Sequence, residues 1–88
     1  MKVIKTKDLG NGHKIEIGNA TWDSDDISVR NRYHTSNGGF SPRSSSEIPL
    51  NDVSEIIKTT VGEDLIDDKE LVNMIIAISE SLKRKLNK

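Results

Sequence analysis

The chain contains no cysteine, an absence that removes disulfides, thiolate metal sites and thiol nucleophiles together. No apolar run approaches the roughly 18 residues that a membrane span requires. Met1 to Lys5 leads into charges rather than into a signal-type apolar stretch, so the expected compartment is the cytoplasm. Large rings are scarce: Trp22, Tyr33 and Phe40 are the three aromatics. Prolines are confined to Pro42 and Pro49, and histidines to His13 and His34. A chain of 88 residues with so few bulky side chains fits one domain with a thin core.

The chemistry of catalysis is thin as well. An enzyme needs a nucleophile beside a base, or paired groups whose surroundings separate their pKa values. His13 sits next to a turn and His34 at a strand end, each without a carboxylate cluster beside it. Asp23, Asp25 and Asp26 form an acidic turn, but the stretch from Trp22 to Ile27 lacks the glycine and distal glutamate of a calcium loop. Gly38-Gly39 is too short to cradle a phosphate. The expectation is a non-enzymatic protein without metal or cofactor.

What is present is organised by period. Val3 to Lys7 and Lys14 to Ile17 are short β-favouring runs, and Gly10-Asn11-Gly12 between them supplies the positive-φ residues of a tight hairpin. Ile27 to His34 alternates with period two: Ile27, Val29 and Tyr33 share one parity, and Ser28, Arg30, Arg32 and His34 the other. The first set is expected to pack and the second to face water or a ligand. Thr35 to Gly39 reads as a turn, after which the chain returns from Phe40 to Leu50, with both prolines making this fourth strand an edge strand. The period then changes. Val53, Ile56, Ile57, Thr60 and Val61 recur at helical spacing, with Asp52 as a candidate cap and Gly62 as the stop. A second helix opens with Asp67 as N-cap, Glu70 three residues on, and Ile66 placed to staple onto Leu71. Its stripe runs through Leu71, Ile75, Ile78, Leu82 and Leu86, widened by Val72 and Ile76. That stripe is long for so small a core, so Ile75, Ile78 and Leu82 are expected to meet a second chain.

The net charge of −1 hides a division. Up to Ser46 the chain has seven Lys/Arg against five Asp/Glu, and beyond it six against nine. The segment from Ile27 to Ser46 carries Arg30, Arg32, Arg43 and His34 and no acid, which allows a local basic surface despite a sequence pI near 6.1. Arginines on a polar strand also serve plain solubility. Aligned guanidiniums beside aromatics nonetheless suit a single-stranded nucleic acid, with cations following phosphates and rings stacking on bases.

The run Ile27-Ser28-Val29-Arg30-Asn31-Arg32-Tyr33, the turn at Asn37-Gly38, Phe40-Ser41-Pro42-Arg43, and Ile48-Pro49-Leu50-Asn51 leading into a helix resemble the single-stranded-DNA-binding domain of the transcriptional coactivator positive cofactor four and its bacterial and phage relatives. The match covers about Ile27 to Val61 and needs one extra residue before Ile48. It rests on order and spacing rather than on a single motif. The resemblance implies a homodimer of four curved antiparallel strands and a helix; with the periods above, the expected α+β fold is a four-stranded sheet (1–50), then one short and one longer C-terminal helix (51–88), within a single domain, 1–88, the second helix being longer than that family's usual ending. It further implies binding of single-stranded DNA, or RNA, without regard to sequence, in transcription, replication or repair. By position, Arg30 resembles the sheet arginine on the phosphates and Tyr33 the stacking aromatic; Arg32 and Arg43 follow from charge and proximity, and Trp22 from its place beside the basic strand. Parity sets Arg30 and Tyr33 on opposite faces unless a bulge intervenes. The basic loop is diluted here to Arg43-Ser44-Ser45-Ser46-Glu47, and acids precede the third strand. The competing expectation is a dimeric adaptor on the same scaffold that binds protein through its C-terminal helix and no nucleic acid.

Overall fold

The β-branched and alternating runs form strands where their patterns place them. The computed structural model describes residues 1–33 and 46–88, and its elements are β1 (Lys2–Gly10), β2 (His13–Asn19), β3 (Ile27–Tyr33), β4 (Glu47–Pro49), α1 (Leu50–Gly62) and α2 (Asp68–Leu86). The strands make one antiparallel sheet in the order β1-β2-β3-β4, so the architecture is α+β. The predicted turn at 35–39, together with His34, Phe40 and Arg43, lies outside the described residues. Among the described residues no helix is long and apolar enough to cross a membrane.

The β1–β2 hairpin closes through three consecutive residues in the left-handed region, Gly10 (φ 89°), Asn11 (φ 53°) and Gly12 (φ 78°). These are the residue types that reach positive φ at least cost. β1 is bulged twice against β2, between Val3 and Lys5 and between Asp8 and Gly10. Gly18 is needed for a different reason. A Cβ there would sit 2.1 Å from the Lys2 carbonyl oxygen and 2.9 Å from the Val3 Cα, so the backbone of β1 occupies the space a side chain would take. At the far edge, β4 pairs with β3 over three positions, and Pro49 lies opposite Ser28, where a missing N–H costs the sheet least.

The chain divides into two compact units, Met1–Glu55 and Ile56–Lys88, and α1 crosses the division. Residue Leu50 already begins α1, so Asp52 sits in the first helical turn rather than capping it; there it still complements the helix dipole. At its other end α1 stops at Gly62, as the sequence predicts. The left-handed residue is Asp64 (φ 57°), and the amides of Glu63 and Leu65 close onto the Thr59 and Thr60 carbonyls at 3.2 Å each. α2 starts as its sequence predicts: the Asp67 side chain accepts from the Glu70 amide at 2.8 Å, a cap worth about 1 kcal/mol.

Burial in the sheet departs from the parity expectation. The positions sealed from solvent among the described residues are Glu16, Gly18, Ala20 and Ser28. Ser28 is 0% exposed and Glu16 4%, whereas Ile17 is 37% and Tyr33 41% exposed. Thus the Ser28/Arg30/Arg32 face, expected to meet water, is the better covered of the two. Burial is tolerated there because charge and hydroxyl partners engage the Glu16, Ser28 and Glu47 side chains.

Candidate nucleic-acid interface

Register assigns every strand residue to a face. Glu16 pairs with Arg30, Lys14 with Arg32, Gly18 with Ser28, and Arg30 in turn with Glu47. These residues share one side, the glutamate face. Glu16 lies between two guanidiniums: Arg30 Nε donates to Oε1 at 2.9 Å and Arg30 Nη2 approaches it to 2.7 Å, while Arg32 Nη1 donates to Oε2 at 3.4 Å. Burial pushes the Glu16 carboxyl up, but the hydrogen bond and charge of Arg30, then those of Arg32, outweigh it and hold the group below the ordinary glutamate range. Glu47 shows the same balance. Burial raises it, and donation from the Thr21 hydroxyl and amide, the Ser28 hydroxyl, and the charge of the Met1 ammonium lower it further.

The arginines predicted to follow phosphates are therefore engaged by an internal carboxylate. The side chain of Arg30 is only 15% exposed. β3 also pairs with β2 without a register shift from Ile27 to Tyr33, so no bulge brings Arg30 and Tyr33 together and they stand on opposite faces.

The other side, the isoleucine face, holds Ile15, Ile17, Val29 and Ile48 in adjacent rows, with Asn31, His13 and Tyr33 continuing them. The His13 and Tyr33 rings, directly paired across β2 and β3, stack with centroids 4.2 Å apart and planes 10° from parallel. His13 Nε2 hydrogen-bonds Asn31 Oδ1, and Asn31 Nδ2 donates to the Tyr33 hydroxyl at 3.3 Å. The rings are thus held by a polar brace on one side and by the strand pair on the other. Lys5 and Lys7 lie opposite Ile17 and Ile15, and Lys2 opposite Asn19, which sets all three lysines of the edge strand on this same face. Alternation in the sequence gives Lys5 and Lys7; Lys2 joins them only because of the bulge at Ile4, which simple parity cannot show. His13 and Asn31 were equally invisible, since their partnership with Tyr33 depends on register.

Trp22 sits apart from this arrangement. It is half exposed, and its indole Nε1 donates to Asp26 Oδ2 at 2.9 Å. The cleft beside it, about 260 Å³, is lined by Asp25, Asp26, Ile27, Pro49, Leu50 and Asn51, and two carboxylates make it a poor seat for a phosphate. Arg43 lies outside the described residues. No group of three or more His, Asp or Glu side chains is placed to hold a metal among the described residues. Comparison with family models, with curated proteins and with solved structures returned no match.

Proposed function

We propose that this protein binds single-stranded nucleic acid, DNA in the first instance, without reading its sequence, and that it does so on the isoleucine face of the sheet. The observation that carries the reading is the stacked His13–Tyr33 pair, partly exposed and on the same face as Lys2, Lys5 and Lys7. A braced aromatic platform accepts any base through its π-face, and a row of ammonium groups at alternate strand positions follows a phosphate backbone. Half-exposed aliphatic side chains between the two give sugars and base edges an apolar floor. The phosphate role expected of Arg30 by resemblance and of Arg32 by charge and proximity passes to the lysines. Lysines also guard edge strands against unwanted pairing, so the experiment must separate the two uses. The protein acts without catalysis and as a homodimer, in the cytoplasm, in replication, repair or transcription.

The test is fluorescence anisotropy of a labelled oligo-dT of about twenty nucleotides at low and moderate salt, with duplex as competitor. Preferred binding of the single strand, with a salt slope of about 2 from three lysine–phosphate contacts, supports the reading. Lys5→Ala with Lys7→Ala then lowers that slope, whereas absence of binding at low salt overturns it. A second reading, an adaptor that binds protein, is favoured by the exposed aliphatic stripe of α2.

A further inference from the structure

We propose that α2 pairs antiparallel with α2 of a second copy of this chain, in one register set by its own charge pattern. The inference is independent of nucleic-acid binding. It starts from six positions, Asp68, Leu71, Ile75, Ile78, Leu82 and Lys85, spaced alternately by three and four residues. These are the a and d positions of a heptad, which fall in one line along a helix. The line reads acid, four aliphatics, base. Ile75 is 64% and Ile78 61% exposed, and no residue of α2 is buried, so the seam has no cover within its own unit, residues 56–88.

An acidic first turn and a basic last turn suit the helix dipole in any helix. The dipole does not require those charges to lie on the apolar line itself, and here Asp68 and Lys85 do. A two-fold axis crossing α2 between Ile76 and Ala77 sets Asp68 against Lys85 of the other copy, Leu71 against Leu82, and Ile75 against Ile78, each contact occurring twice. Parallel pairing instead sets Asp68 on Asp68 and Lys85 on Lys85. A slip of one heptad within the antiparallel arrangement drives Ile75 against Lys85 and loses both ion pairs. Charge and packing therefore select the same register, the specificity device that end charges provide in helix pairs.

Sedimentation equilibrium of the full chain, with circular dichroism to confirm helix content, tests this. The chain is expected to be dimeric. Asp68→Lys or Lys85→Glu alone places like charges at both ends of the seam and weakens the dimer by about tenfold, and the two together restore it. In a parallel dimer neither single change adds a like-charge contact. As a second measurement, a chain carrying both Asp68→Cys and Lys85→Cys closes interchain disulfides on mild oxidation. Lys85→Cys alone does not, because its two copies stand about 26 Å apart, 17 residues along the seam. A monomeric wild-type chain, single swaps without effect, or ready cross-linking through Lys85→Cys alone would each overturn the proposal.

Discussion

Replacing Glu16 with glutamine isolates the ion cluster that covers one face of the sheet. Glutamine keeps the shape of the side chain and one carbonyl oxygen, but turns the second oxygen into a donor facing a guanidinium. The carboxylate is 5% exposed, and its partners Arg30 and Arg32 are 15% and 31% exposed. Removing one member of a fully buried ion pair costs about 3–5 kcal/mol. Partial solvation of Arg32 brings the expectation down to about 2–3 kcal/mol, the scale of one or two charge-assisted hydrogen bonds. For a domain of this size that corresponds to a fall in Tm of roughly 10–20 °C. Trp22 is the single tryptophan and lies in the sheet unit, so its fluorescence reports unfolding of that unit during urea or thermal titration. The gap between wild type and Glu16→Gln also depends on pH with a defined sign. The folded-state pKa of Glu16 is depressed, so the stabilisation is complete above the unfolded glutamate value, near 4.3, and disappears as pH falls through the lower folded value. The two proteins should therefore converge in acid. A Glu16→Gln variant within about 0.5 kcal/mol of wild type at neutral pH refutes the reasoning.

Other expectations follow from single contacts. Gly18→Ala forces its Cβ to within 2.1 Å of the Lys2 carbonyl oxygen; we expect about 1–3 kcal/mol of destabilisation, with hydrogen exchange accelerated at the start of β1, and unchanged exchange would refute it. Asp67→Ala removes the acceptor of the Glu70 amide and should cost about 1 kcal/mol, read as earlier loss of helical dichroism on heating. Tyr33→Ala should weaken oligo-dT binding by about tenfold or more, the loss of one stacking platform. Arg30→Ala should chiefly lower stability, because Arg30 is a Glu16 partner; equal loss of affinity in both variants at matched folding would place the strand on the glutamate face instead.

Much of the architecture was legible because it rests on local signals. Positive-φ residues at Gly10, Asn11 and Gly12, the period-two run of β3, and Asp67 ahead of an amphipathic stripe each act over a few residues. The start of α1 was read less well: Leu50 extends the helix back past the candidate cap Asp52, since several residues near that end can serve. The candidate site was the least legible. Arg30 and Arg32 looked like an aligned basic surface because their counter-charge, Glu16, sits on another strand and becomes their neighbour only through the register. The same register joins His13 to Tyr33 from twenty residues away, and the bulge at Ile4 moves Lys2 onto their side. Alternation tells which residues share a face of one strand; it does not tell what the facing strand brings.

The sheet is sealed around polar and small residues, with its aliphatic side the more open one, and this inverts how variants should sort. In a saturation scan read by protein abundance, penalties should concentrate on Glu16, Gly18 and Ser28, positions that a hydropathy ranking treats as dispensable. Polar replacements at Ile17, Tyr33 or Lys5 should pass that screen and emerge only when a function is selected. The two faces thus divide heritable damage into two kinds, one lost with the folded chain and one lost while the chain stays folded.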